Sequence, residues 1–337
     1  MTIKKSLFLK LAISLFLVLQ ANALCASELD LRISARTSLP ESILRETYSA
    51  IDRTREMLVA RQSESGDWVL ANSVHTILPA IALLDNSETT MSDSLKSAQN
   101  ISLRFLEERI NKPWTNDDAV EVAISYVLIS SLVGVNNIDK IDKLLNDRIH
   151  DRLSRVQLRG MPKQQAVLIL SALSMFPDNT KTPEPNKWTV AALPDNIANA
   201  EAQLSVEDVA IAAYARMMMR KTTNSPDVLA YIRWLVEKLD LHRDSATDNI
   251  APLTPVSAYY AAQVFSMIPR KLIMEDPSLC PIDWRNRFAS RLISQQKRDS
   301  KTGHDYWDAS KTRSSLSDSA LYDTTYSIMT LVILSKQ

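Results

Sequence analysis

The chain has 337 residues, no formal net charge, 45% hydrophobic and 23% charged side chains, and only 4 glycines. Average glycine usage of about 7% would supply roughly 24, so tight hairpins in number, a dinucleotide fingerprint and a phosphate-cradling loop are all excluded. The even charge balance offers no footprint for nucleic acid. Helices are what such a composition leaves.

The first segment has the pattern of an export signal. Lys4, Lys5 and Lys10 form a basic start, 11–19 are apolar, and Ala21 and Ala23 offer a small-x-small cleavage site. The apolar run is about half the length of a membrane-spanning helix. The reading is a cleavable signal peptide over 1–26, a secreted or periplasmic mature protein, and no transmembrane helix after signal removal. Removing these residues takes away three lysines and no acid, leaving a charge of about −3. Cys25 would be a lipid-anchoring site only after a small residue, and Leu24 precedes it, so anchoring there is not expected. Cys280 is then the one mature cysteine, which predicts no intrachain disulfide and no cysteine metal cluster.

From residue 27 onward two kinds of segment alternate. Amphipathic segments with charges on one side lie at 43–61, 92–110, 138–155, 226–240 and 282–296, with an irregular member at 188–202 after the loop 178–185. Between them lie segments apolar nearly all round, at 74–84, 119–132, 163–175, 206–219, 255–268 and 319–334. A helix without a polar face must be surrounded. About six hairpins of one outer and one inner helix, at a period of 40–50 residues, predict a single all-α domain over 27–337, as a solenoid or a closed ring. Hydroxyl caps followed by an acid three residues later mark helix starts at Thr115–Asp118 and Ser205–Asp208, and Pro226 and Pro255 stand at first-turn positions.

The loop after the first outer segment carries Gln62, Gly66 and Trp68 as Q-x-x-x-G-x-W. The last repeat carries a stretched version in Gln296, Gly303 and Trp307, while the second keeps only Trp114. This signature resembles the repeat of squalene and oxidosqualene cyclases and of protein prenyltransferase β-subunits. The resemblance implies an α/α toroid, an inner ring of helices within an outer ring. In physical terms the aromatic ring packs a hairpin corner, the glutamine amide satisfies backbone groups at helix ends, and glycine turns the chain. The chemistry of those families is not expected here. There is no D-x-D-D acid, since Asp117–Asp118 is only a pair, and Cys280 has no partner cysteine for a zinc site although His304 follows in the next hairpin. No cofactor or metal is called for.

The remaining polar residues carry two readings each. Asp117, Asp118 and Glu121 open an inner helix, where acids complement the helix dipole; two acids facing a cavity could also do acid/base work on a sugar. Glu207 and Asp208 share both readings. His75 stands on an inner helix before Pro79, more simply a core histidine than a ligand contact. His304, Asp305, Tyr306, Trp307 and Asp308 cluster in one loop, where aromatics beside acids suit a carbohydrate at a ring mouth or the packing of a loop. Met217, Met218 and Met219 read as core, or as part of an adaptable apolar lining. Asp323, beside Thr324, Thr325 and Tyr326 in an apolar inner helix, needs partners or a shifted pKa, and is the strongest single candidate for the cavity. The favoured function is a non-cyclising binding or scaffold module for an apolar ligand or protein partner. The alternative is an exported polysaccharide lyase or glycoside hydrolase using cavity acids. Asp118, His75 and Asp323 together on the inner surface would favour the enzyme, and methionine, leucine and tyrosine would favour binding.

Overall fold

A computed structural model of the chain describes residues 39–64, 68, 79, 82, 112, 119, 122–123, 150–151, 153–156, 161, 163–174, 204–220, 224–239, 241, 253–280, 283–309 and 318–335. The described part is mostly helical, at 74%, with a single pair of two-residue strands, consistent with an all-α class. Several expectations fall outside these residues: the signal segment with Cys25, the outer segments 92–110 and 188–202, the loop 178–185, and Gly66, His75, Trp114, Asp117, Asp118 and Glu121.

Seven of the helices lie where the apolar periodicity puts them, with no end displaced by more than two residues. They are α1 (Glu41–Arg61), α2 (Lys163–Ser174), α3 (Val206–Arg220), α4 (Pro226–Lys238), α5 (Pro255–Ser266), α7 (Trp284–Gln295) and α8 (Asp318–Ser335). A short α6 (Arg270–Glu275) and a 3₁₀ turn (Pro277–Leu279) lie between α5 and α7, each opened by a proline. The starts follow their caps. Ser205 Oγ accepts the Asp208 N–H at 3.0 Å and donates to the Asp208 carboxylate at 2.9 Å, and Thr254 Oγ1 accepts the Ser257 N–H at 3.2 Å.

The apolar helices pack on one another in sequence: α2 on α3, α3 on α5, and α5 on α8. The amphipathic α4 lies against α3 and α5, and α7 against α5 and α8. The first helix completes the pattern at the far end, because α1 packs on both α7 and α8. Polar ties reinforce this junction of first and last repeats. Gln296 Nε2 donates to Thr54 Oγ1 at 2.7 Å and to the Ala50 carbonyl at 3.2 Å, while Gln296 Oε1 accepts from Arg53 at 3.0 Å. Arg53 Nε also donates to Asp305 at 2.6 Å, and Arg61 pairs with Asp318 at 3.7 Å.

The outer helices α1 and α7 end alike. Gln62 and Gln296 turn into extended backbone at ψ 134° and 135°, and their N–H groups bond the carbonyls three residues back, Val59 and Ile293. The carbonyl four residues back thereby loses its helical donor. In both repeats a buried indole supplies the replacement: Trp68 Nε1 donates to Leu58 O at 2.9 Å, and Trp307 Nε1 to Leu292 O at 2.7 Å. One expectation needs correcting here. The Gln296 amide bonds the neighbouring helix, whereas the tryptophan satisfies the helix end.

Between Gln296 and Trp307 the chain forms a hairpin absent from the expectations, β1 (Lys297–Arg298) antiparallel to β2 (Asp305–Tyr306). Its turn is built by Asp299, whose carboxylate accepts the Lys301 and Thr302 N–H groups at 2.8 and 3.2 Å. Gly303 then takes φ +74°, the left-handed region that side chains resist.

Replacing Trp68 or Trp307 by alanine is expected to cost about 3–5 kcal/mol each in urea unfolding. Phenylalanine at either position keeps most of the ring but strands the carbonyl, for a smaller loss of about 1–3 kcal/mol. An unchanged unfolding midpoint for the alanine variants would contradict the corner assignment.

Candidate functional site

The inner helices α3 and α5 run parallel. Thr254 at the cap of α5 donates to Glu207 in the first turn of α3 at 3.3 Å, and two turns along, the rings of Tyr260 and Tyr214 meet at 5.7 Å. Tyr259 and Tyr260 in turn reach α8, with ring centroids 5.3 and 6.3 Å from Tyr326. Tyr322, one turn before Tyr326, closes the group at 4.8 Å. Five tyrosines from three inner helices thus form one connected cluster, mostly in tilted or edge-to-face contact as the ring quadrupole favours. Tyr260 and Tyr326 are fully buried, while Tyr259 and Tyr322 remain half-buried.

Burial raises the phenols above their ordinary range. Tyr322 is pushed up to about 12, mainly by burial, with a hydrogen bond from Tyr326 opposing and the nearby charges of Glu207 and Asp323 adding. Tyr260 and Tyr326 lie well above that range for the same first reason. Tyr259, Tyr260, Tyr322 and Tyr326 stay neutral and serve as apolar faces with hydroxyl tips.

Asp323, in the second turn of α8, is only 8% exposed. Its Oδ2 accepts the Ala309 N–H at 2.7 Å, so the residue holds the connection that precedes α8. Burial is the first cause that raises its carboxyl, to about 6. The Ala309 bond opposes, the charge of Asp308 raises it, Lys297 lowers it, and Glu207 raises it again. Lys297 donates its ammonium to the Asp308 carbonyl. Glu207 and Asp323, far apart in sequence, therefore act on one another beside Tyr322.

The loop candidates behave differently from a ring-mouth cluster. Trp307 is 1% exposed and fills the corner under α7, its backbone N–H bonded to Thr324 Oγ1 at 2.9 Å; no face is left for a sugar. Asp305 is buried and spends its carboxylate on Arg53. His304 is half-buried, and its backbone carbonyl closes the Asp299 turn. Tyr326, Asp323 and Glu207 are the named candidates that the fold brings to the tyrosine cluster. Met217 is buried, and Cys280 is buried with its thiol pushed up chiefly by burial.

Two groups of residues escaped the sequence reading. Tyr214, Tyr259, Tyr260 and Tyr322 stand in three different repeats; the adjacent pair at 259–260 and the four-residue spacing of 322 and 326 were the available signals. Arg55 and Arg285, on charged outer helices, are buried at 0% and 2%, donating to the carbonyls of Ala82 and of Ile333 and Leu334. No known protein family matches the chain, and no curated protein sequence matches it. Among the described residues no helix is long and apolar enough to cross a membrane.

Asp323 also sets a pH dependence. Its folded-state pKa lies above its unfolded value near 4, so the fold binds the proton more tightly and stability falls as pH rises from about 4 through 6. Ionising Asp323 is expected to cost roughly 2–3 kcal/mol. Asp323→Asn keeps an acceptor for the Ala309 N–H and removes the charge. The variant should therefore gain on the wild type in urea unfolding between pH 4 and 7.5; parallel stability curves would contradict this.

Proposed function

We propose that the protein is an exported α/α-toroid binding module, resembling the squalene-cyclase and prenyltransferase repeats but without their catalytic motifs. The toroid reading is supported by the sequential packing of the apolar helices and by α1 lying against the last hairpin. The export reading rests on the signal-like pattern of 1–26. The binding reading is carried by one observation: three inner helices meet in a cluster of five tyrosines, two of them half-buried. Such a surface suits an apolar ligand or an apolar segment of a protein partner better than it suits bond cleavage. His75 and Asp118, which an enzyme would add to Asp323, lie outside the described residues.

One feature favours the alternative, an exported polysaccharide lyase or glycoside hydrolase. Asp323 keeps a proton to about pH 6 within the electrostatic reach of Glu207, and a protonated acid beside a second carboxylate is the pairing that acid/base chemistry on sugars uses.

The neutral apolar dye N-phenyl-1-naphthylamine separates the two. Saturable fluorescence enhancement at one site per chain is expected, weakened at least fivefold by Tyr259→Ala or Tyr322→Ala with the helical circular dichroism retained. No saturable binding, together with release of sugar ends from a polysaccharide panel that Asp323→Asn abolishes, would replace the binding reading by the enzymatic one.

A further inference from the structure

We infer that the inner-helix site takes a neutral amide carried on an apolar body, the amide meeting Tyr259 Oη and the Gln263 side chain and the apolar part lying against the rings of Tyr259 and Tyr322. The inference rests on the proposed binding role and names the chemical class of the ligand.

The first argument is hydrogen bonding. Gln263 is the one amide side chain in α5. It stands one turn after Tyr259, and its Nε2 donates to Tyr259 Oη at 3.1 Å. Among the described residues this is the only hydrogen bond of either side chain. The Tyr259 hydroxyl therefore keeps its own proton to donate, and Gln263 Oε1 keeps its lone pairs to accept. Turning the amide over exchanges the roles and still leaves the pair one donor and one acceptor. The complement is a group with a carbonyl beside an N–H, which is an amide. An ester or ketone satisfies half of the pair, and a hydrocarbon satisfies none of it.

The second argument is placement. Tyr259 and Gln263, four residues apart, share one face of α5. Both keep partial exposure, while Tyr260, Ala261, Ala262 and Val264 around them are buried. The rings of Tyr259 and Tyr322 each meet Tyr326, at 5.3 and 4.8 Å, so the polar pair borders the same cluster as the second half-buried ring. Burial raises both phenols, Tyr259 above the ordinary range and Tyr322 to about 12. A group desolvated by surrounding protein and still reachable lines a recess rather than a convex face, and apolar recesses with a few polar groups are where small ligands bind. With the phenols protonated and Gln263 uncharged, the pair selects a neutral ligand. A carboxylate brings no N–H and costs more to desolvate.

N-hexylacetamide and hexyl acetate have the same length and shape and differ only in the amide N–H against the ester oxygen, which makes them the discriminating probes. In calorimetric titration of the purified chain at pH 7.5, the amide is expected to bind saturably and at least fivefold more tightly than the ester, because a polar pair left half-satisfied penalises the analogue without the donor. Gln263→Leu should abolish this preference, weakening the amide at least fivefold and leaving the ester within about twofold. Gln263→Met makes the same test should the leucine variant fail to fold, which circular dichroism shows. Tyr259→Phe, which keeps the ring against Tyr326, should also weaken the amide. N-acetylleucine N-methylamide binding more tightly than N-hexylacetamide assigns the amide to a peptide segment of a partner, and weaker binding assigns it to a free acyl amide. Equal binding of amide and ester, or an amide preference that survives both Gln263 substitutions, would overturn the inference while leaving an apolar binding site intact. Binding of neither probe overturns it too, and the naphthylamine titration then decides separately whether the module binds apolar ligands.

Discussion

An outer helix that must stop and send the chain back leaves its last carbonyls without helical donors, among them the carbonyl four residues before the turning glutamine, and burying that group unpaired costs about 1–3 kcal/mol. The protein meets the constraint with an indole N–H. Trp68 reaches Leu58 and Trp307 reaches Leu292, each ring filling the space under the corner. The glutamine at the turn frees that carbonyl by entering extended backbone, and the tryptophan satisfies it. Each residue of the pair makes sense only with the other. The helix that follows the Trp307 corner is α8, which carries Tyr322 and Tyr326.

The same turn joins the two ends of the described chain. Because Gln296 has left the helix, its amide is available to α1, where Thr54 and Ala50 receive it and Arg53 completes the group. Asp305 on β2 adds an ion pair to the same arginine. Arg53 is about half exposed, so its pairing contributes modestly, and the weight falls on the partly buried amide and the packing of α1 on α7 and α8. A repeat array buries its apolar helices only while neighbours cover them. At the last repeat, the covering neighbour is the first helix.

Much of this was legible before folding, for identifiable reasons. Inner helices such as 255–266 and 318–335 lack a polar face, so their burial follows from composition alone. The Gln and Trp pairs stood out because an amide and an indole recur in the same order at corresponding corners. Asp323 stood out as an acid inside an apolar run. The tyrosine cluster was invisible because Tyr214, Tyr259 and Tyr326 belong to separate repeats, and no periodicity in one segment reveals a partner in another. Arg55 and Arg285 were hidden by their company, since amphipathic outer helices make every arginine look solvated. The hairpin at 297–306 is too short and too polar to signal strand, and Asp299 and Gly303 build it from turn chemistry alone. Trp307 carried two readings, as a corner ring and as part of an acid-rich loop at a ring mouth, and its ring serves the corner.

The site inherits its character from this framework. Glu207 in the first turn of α3 acts electrostatically on Asp323 in the second turn of α8, and Asp323 holds Ala309 in the connection before α8. All of it presupposes that α1 is seated on the last repeat. A double-mutant cycle between Thr54→Val and Gln296→Ala, read by urea unfolding, tests that seating most directly. The account expects a coupling of roughly 1 kcal/mol, as for a partly buried side-chain hydrogen bond; strictly additive effects would contradict the joining of first helix and last hairpin on which the fold and its site depend.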